Sequence, residues 1–318
     1  MDTRAGDPSR WHSRIISGLI VAVVYAASRK LSVELSAGIG APVWLASGVA
    51  WAALMLCGKQ YWPAILIGGW LVNLAQYPWP VAAGYAVGNV LEALAGVWIM
   101  SSIERLRKQL GYFEILAGAA LVALLTPVLG ASAGTLTRWL SEGLPPSKWL
   151  VVWSGRWLHD VLGLLMLAPA VIPLLESARA GWKDWGRKRL ALIGPILIGC
   201  LLISWFAIFH KPFHPALFFL FPCTILAAAC LDEAGPGLAA LVIAAMAIWS
   251  IQVGKWPFSS DGIIPSAMFF MACVFLHALA LSHLRRVQTL LLPGTVLLAG
   301  WLFGGFLYGS FDSDPNRT

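Results

Sequence analysis

Apolar runs separated by short turns follow one another along the chain from Ile15 to Tyr308. Such runs predict membrane helices, so the pattern describes an all-α, polytopic integral membrane helix bundle of about 8–11 membrane helices. The first helix is expected over about Ile15 to Ser28. Arg29, Lys30 and a connection ending at Ala41-Pro42 follow, and Pro42 suits the first turn of the next helix. Two shorter runs, Val43 to Cys57 and Pro63 to Gln76, flank Gly58-Lys59-Gln60-Tyr61-Trp62. At about 1.5 Å per residue each reaches some 20 Å, short of a roughly 30 Å hydrocarbon core, so they are tilted, flanked by protein, or a re-entrant hairpin. Because they come as a pair, each arrangement leaves the later topology unchanged.

The fourth run, Trp79 to Ile103, ends in Glu104-Arg105-Leu106-Arg107-Lys108, and the fifth, Phe113 to Leu140, ends in a turn at Glu142-Gly143-Leu144-Pro145-Pro146. The sixth, Trp149 to Leu175, leads into a basic loop holding Arg179, Lys183, Arg187, Lys188 and Arg189. Further runs cover Leu190 to Phe209, Pro215 to Leu231, Gly237 to Val253 and Ile264 to Leu284, the last closed by Arg285 and Arg286. A final run, Leu290 to Tyr308, precedes the tail FDSDPNRT.

Composition narrows the class. Of 318 residues, 59% are hydrophobic and 12% charged, with a mean hydropathy of +0.76, which excludes a soluble globular protein and leaves one membrane-embedded domain. The net charge of +7 does not point to nucleic acid, because Lys and Arg sit in short loops instead of on one patterned face. With the N-terminus inside, 14 of the 22 basic residues fall on the cytoplasmic side, while Arg29, Lys30, Lys148, Lys211 and Lys255 fall outside. That orientation places the acidic C-terminal tail on the periplasmic side and residues 1–14 in the cytoplasm. Arg4, Arg10 and Arg14 precede the first run, which is read as a retained helix in preference to a cleaved signal peptide. The 17 Trp residues gather at run ends, where they anchor at the headgroup level, and the five Cys residues are read as packing residues.

The candidate chemistry lies inside the fourth and sixth runs. Asn89 and Glu92 are three apart and share a helix face with Tyr85, and Gly84, Gly88 and Gly96 offer a small-residue stripe for a neighbouring backbone. Buried there, Glu92 has to be protonated or paired. In WSGRWLHDVLGLLMLAP, from Trp153 to Pro169, Arg156 and Asp160 are four apart and can pair, with Gly163 on the same face and Arg138 near enough to join. His159 points roughly 100° away from Asp160 and is set aside. The chain has no GxSxG, HExxH, P-loop or dinucleotide-binding fingerprint, so no enzyme, cofactor or metal is expected. His210 and His214 are interrupted by Pro212 and Pro215, His277 and His283 do not share a face, and Asp232 and Glu233 belong to a turn.

Several of these stretches, in order, resemble the MASE1 family of bacterial integral membrane sensory domains. They are Pro42-Val43-Trp44-Leu45-Ala46-Ser47-Gly48-Val49-Ala50, Gly58-Lys59-Gln60-Tyr61-Trp62-Pro63-Ala64 and Leu71-Val72-Asn73-Leu74. Gly88-Asn89-Val90-Leu91-Glu92-Ala93 and Trp157-Leu158-His159-Asp160-Val161-Leu162-Gly163 with Pro169 continue the pattern. The resemblance covers about Ile15 to Arg286, so 15–286 is the expected sensory domain and 287–318 an added membrane helix with its tail. It implies a multi-helix sensor normally fused to a cytoplasmic histidine kinase or diguanylate cyclase. Its matching positions are Trp44, Ser47, Gly48, Trp62, Pro63, Asn73, Asn89, Glu92, Trp157, Asp160 and Gly163. The further run after Arg286 and the nine-residue stretch Ser310 to Thr318 that ends the sequence give the expectation of a stand-alone sensor in the bacterial inner membrane. It would contact membrane lipid, recognise an unknown small ligand or membrane state, and signal through a separate kinase or cyclase. The expected polar core or ligand site is Asn89, Glu92, Arg156, Asp160, Asn73, Trp44, Ser47 and Trp157. A small-molecule transporter using the same polar layer is the alternative. A membrane-embedded transferase relying on Asp160 and His159 comes third.

Overall fold

The computed structural model describes residues 8–36, 43–106, 112–179, 181, 186–210, 220–231, 234–255, 270–278 and 281, and among them there is no strand. The helices are α1 (Pro8–Ser36), α2 (Leu45–Cys57), α3 (Trp62–Asn73), α4 (Trp79–Leu106), α5 (Tyr112–Leu125), α6 (Pro127–Glu142), α7 (Pro146–Arg179), α8 (Arg187–Phe209), α9 (Leu220–Leu231) and α10 (Gly235–Gln252). Residues 270–278 are also helical. Pro42, His214, His283, Asp232, Glu233, Arg285, Arg286, the run Leu290 to Tyr308 and the tail lie outside the described residues.

Among the described residues, six stretches are long and apolar enough to cross a membrane: His12–Glu34, Trp79–Ile103, Ala120–Glu142, Pro146–Val171, Leu190–Phe209 and Gly235–Gln252. Helices α2, α3 and α9, with 13, 12 and 12 residues, are each too short to span alone, and the expected runs Ile264 to Leu284 and Leu290 to Tyr308 lie largely outside the described residues.

Two expectations about element ends are corrected. The first helix does not stop at Ser28 but continues to Ser36, since no Gly or Pro interrupts the chain between Gly18 and that point. Arg29 and Lys30 are therefore helical, and Arg29 is buried. The fifth run is two helices broken at Thr126, because Pro127 has no N–H to continue α5 and instead starts α6 at a position proline tolerates.

The chain divides into two compact units, Met1–Ala168 with Ile264–Ala272, and Pro169–Ile263 with Cys273–Thr318. In the first, α4 is the central helix, packed against α2, α3, α5 and α6, while α1 packs on α2 and α3. The glycines of α4 permit this crowding. A β-carbon on Gly88 would lie 2.8 Å from the Ala133 β-carbon of α6, and one on Gly96 would lie 2.6 Å from the Trp51 ring of α2.

A second close approach joins α2 to α7. A β-carbon on Gly163 would collide with the Trp44 carbonyl oxygen, and one on Gly48 with the Gly163 carbonyl oxygen. Between α2 and α3, Gly58 takes a φ of +105°, a region that favours glycine, and a single 3-10 turn, Lys59–Tyr61, reverses the chain.

The second unit packs α8, α9 and α10 against one another. Cys200, Cys223, Ala227 and Ala239 form a small core with Ile196 and Val242 beside it. All five cysteines are free thiols.

Candidate functional site

The site begins with the junction of α2 and α7. With no side chain on Gly163, the chain entering α2 lies directly on α7, and the Trp44 N–H donates to the His159 carbonyl oxygen at 3.1 Å. The next N–H, from Leu45, donates to Ser32 Oγ of α1 at 2.9 Å. These two bonds satisfy donors at the start of a helix that has no side-chain cap of its own. They also set the rotation of α2, which brings Ser47 to α7, where its hydroxyl donates to Asp160 Oδ1 at 2.8 Å.

Glu92 of α4 reaches the same place. Its Oε2 packs against the backbone of Gly130 in α6, where an added β-carbon would strike it and would lie 3.5 Å from Asp160 Oδ2. The two carboxyl groups thus converge on one patch of α6 that has no side chain. Asp160 is 1% exposed and Glu92 2%, and no described cation makes an ion pair with either. Ser47 lies beside Glu92 as well, yet neither Glu92 oxygen, nor Asp160 Oδ2, has a hydrogen bond of good geometry.

The expected Arg156–Asp160 pair does not form. Arg156 turns instead toward α4, where its Nη2 donates to Asn89 Oδ1 at 3.4 Å and its guanidinium lies 4.8 Å from the centre of the Tyr85 ring. Gly134 of α6 makes this possible, since a β-carbon there would lie 2.6 Å from Arg156 Cζ. Asn89 completes a chain across three helices by donating from Nδ2 to the Tyr25 hydroxyl of α1 at 2.7 Å.

Beside this layer lies a cavity of about 590 Å³. Its walls include Arg29 of α1, Trp44 before α2, Asn73 and Tyr77 around the α3–α4 turn, Tyr85 and Asn89 of α4, Arg138 and Glu142 of α6, and Val151, Arg156, His159 and Asp160 of α7. It therefore lies in the first unit, near the start of α2, the α3–α4 turn and the end of α6. Its volume is in the range of small-molecule sites. At its wall Arg138 and Glu142 pair at 2.9 Å, both half-exposed.

Of the sequence-derived residues, Asn89, Glu92, Arg156, Asp160 and Ser47 come together, while Trp44 and Asn73 stand in the cavity wall. Asn73 also donates from Nδ2 to the Ala82 carbonyl at 3.4 Å. Trp157 is apart from this group: its Nε1 donates to the Leu124 carbonyl at 2.9 Å, near the end of α5, and its ring stacks on Trp153.

His159, set aside in the sequence reading, lines the cavity. Arg29 and Tyr25 were missed. Their signal was the spacing Tyr25, Arg29, Ser32, which places a phenol, a cation and a hydroxyl on one face of a helix. His210 packs on Trp205 and Phe206, and His277 on Phe221. Among the described residues no group of three His, Cys, Asp or Glu converges as a metal site would require.

A family model described as MASE1 matches residues 14–289, nearly the whole chain, and the chain belongs to that family of membrane sensory domains. Comparison with curated proteins and with solved structures gives no match.

Proposed function

From its membership of the MASE1 family, we propose that this multi-pass protein is a bacterial inner-membrane sensor. It takes a small ligand into the cavity beside the polar layer and signals through a separate partner, a histidine kinase or a diguanylate cyclase. The observation that carries this reading is a cavity of about 590 Å³ with Asn89, Arg156 and Asp160 in its wall, the same groups that tie α7 to α4 and α2. A ligand contacting them competes with interhelical bonds. It has no need of catalytic groups, and the family is sensory.

The change would travel along α7. This helix of 34 residues starts at the cavity and continues through Pro169 and Pro173 to Arg179. At about 1.5 Å per residue its stretch before Pro169 is some 35 Å long, and a shift of its first turns is carried along that stretch. Two states differ in whether Arg156 engages Asn89 and whether Ser47 engages Asp160, and a ligand favours one state by its differential affinity alone.

The basic connections around Lys59, Arg105–Lys108 and Arg179–Arg189 suit the cytoplasmic side, so the cavity opens toward the periplasm. The N-terminus is then cytoplasmic and the C-terminus periplasmic.

Gentle purification followed by mass spectrometry of bound small molecules and proteins tests the proposal. A kinase or cyclase should accompany the wild type, and Glu92→Gln and Asp160→Asn should insert normally but change the bound molecule or the partner. Uptake of solute into proteoliposomes with no partner captured, or wild-type behaviour of both variants at normal expression, overturns it.

A further inference from the structure

Three arginines line the cavity, and they differ in what holds them. Arg138 is neutralised by Glu142 at 2.9 Å. Arg29 is 5% exposed, and among the described residues it has neither an ion pair nor a hydrogen bond; the contact it makes is with the Trp44 ring, 5.7 Å from the ring centre. Arg156 lies over Tyr85 and makes one long hydrogen bond to Asn89.

A guanidinium covered on its flat face by an aromatic ring keeps its N–H donors, which lie in its plane, free for an acceptor. Arg29 and Arg156 are also close enough to feel each other's charge. Two like charges beside one cavity, one of them buried, repel unless something negative stands between them.

None of the described carboxylates facing the same space pairs with Arg29. Glu142 is taken by Arg138, and Asp160 is held by Ser47; Asp160 and Glu92 feel the charge of Arg156 without forming an ion pair with it. Glu92 sits behind Asp160 against Gly130. With these two carboxyl groups together on one side, the anionic group of a ligand is placed away from them, at the two arginines.

We infer that the cavity is a site for a small organic anion, whose carboxylate or phosphate is held by Arg29 and Arg156 while its apolar body lies against Trp44, Tyr77 and Tyr85. The inference rests on the cavity being the sensor's ligand site and names the chemistry of what enters. The anionic group can belong to a soluble solute or to a lipid headgroup, and the cavity chemistry is the same for both.

The test is titration calorimetry on the full chain in nanodiscs of phosphatidylcholine, with benzoate and phenyl phosphate as probes and benzamide as the uncharged control. At least one anion should bind saturably and benzamide should not. Arg29→Gln and Arg156→Gln should each weaken binding about tenfold or more, the loss expected for one charge-assisted hydrogen-bonded contact. Arg29→Lys, which keeps the charge, should retain part of the affinity and controls for folding, together with a monodisperse elution profile. Nanodiscs containing phosphatidylglycerol form the second arm: if this lipid occupies the arginines, it abolishes probe binding in the wild type and the source is the headgroup.

No anion binding in phosphatidylcholine discs, equal binding of benzamide, or unchanged affinity in folded Arg29→Gln and Arg156→Gln proteins overturns the inference. No partner is present in this experiment. Anion binding can therefore stand while the sensor reading fails, and a partner captured by an anion-blind Arg29→Gln protein would show the reverse.

Discussion

Ser47 donates its hydroxyl to Asp160 Oδ1 at 2.8 Å across 113 residues of sequence, and both groups are shut away from solvent. This bond joins the first turn of α2 to the middle of α7, beside a second carboxyl from Glu92. Ser47→Ala leaves a buried carboxyl oxygen without its donor, which should lower stability by about 1–3 kcal/mol. A double-mutant cycle with Asp160→Ala, read by thermal unfolding in detergent, should show coupling between the two positions. Additive effects would mean that the bond contributes nothing.

Gly163 and Gly48 should not tolerate a methyl group. Each added β-carbon would meet a backbone carbonyl oxygen, Trp44's or Gly163's, and backbone cannot step aside as a flexible side chain can. Gly163→Ala and Gly48→Ala should each cost about 1–3 kcal/mol or more through overpacking and reduce folded yield. Gly155, on the same α7, has nothing within 4 Å of its added β-carbon. Gly155→Ala should express like wild type, and equal losses at all three glycines would refute the close helix contact.

Gly130→Ala should fail for a different reason, because its β-carbon meets the end of a side chain, Glu92 Oε2. Shortening that side chain should make room. The pair Gly130→Ala with Glu92→Ala is expected to recover folded yield relative to Gly130→Ala alone, measured by size-exclusion profile. Absence of any rescue would place the Glu92 carboxyl elsewhere.

Arg138→Gln is expected to change stability by no more than about 1 kcal/mol, since it removes a pair in which both side chains are 41% and 39% exposed. Arg29→Gln should differ from it in kind, with little change in stability and a loss of anion binding. Thermal unfolding with and without benzoate compares the two. A large destabilisation by Arg138→Gln would show that the cavity wall depends on this pair.

Trp157→Phe removes a donor from the Leu124 carbonyl near the break between α5 and α6. A loss of about 1 kcal/mol is expected, without effect on ligand binding, because Trp157 is not in the cavity wall. A binding defect in this variant would bring Trp157 back into the site.

The sequence by itself determined that this is a helical membrane protein, since long apolar runs have no soluble alternative. It also determined which helices carry buried polar groups, because a charge within such a run has to face protein. Spacing placed Asn89 near Glu92, and Arg156 near Asp160, on single faces. Periodicity says what shares a face of one helix. It does not say which neighbour that face meets, or how closely.

Those choices were made by tertiary contacts. The missing side chain of Gly134 gave Arg156 room to reach Asn89 instead of Asp160, and Gly163 let α2 approach until Ser47 took Asp160. Gly130 let Glu92 converge on the same spot from α4. Arg29 looked like the end of a helix because a charge after an apolar run usually is one. It became a cavity residue because α1 continued past it, turning its face toward Trp44. Helix–helix distance depends on small residues of both partners at once, and that pairing exists only when the chain has folded.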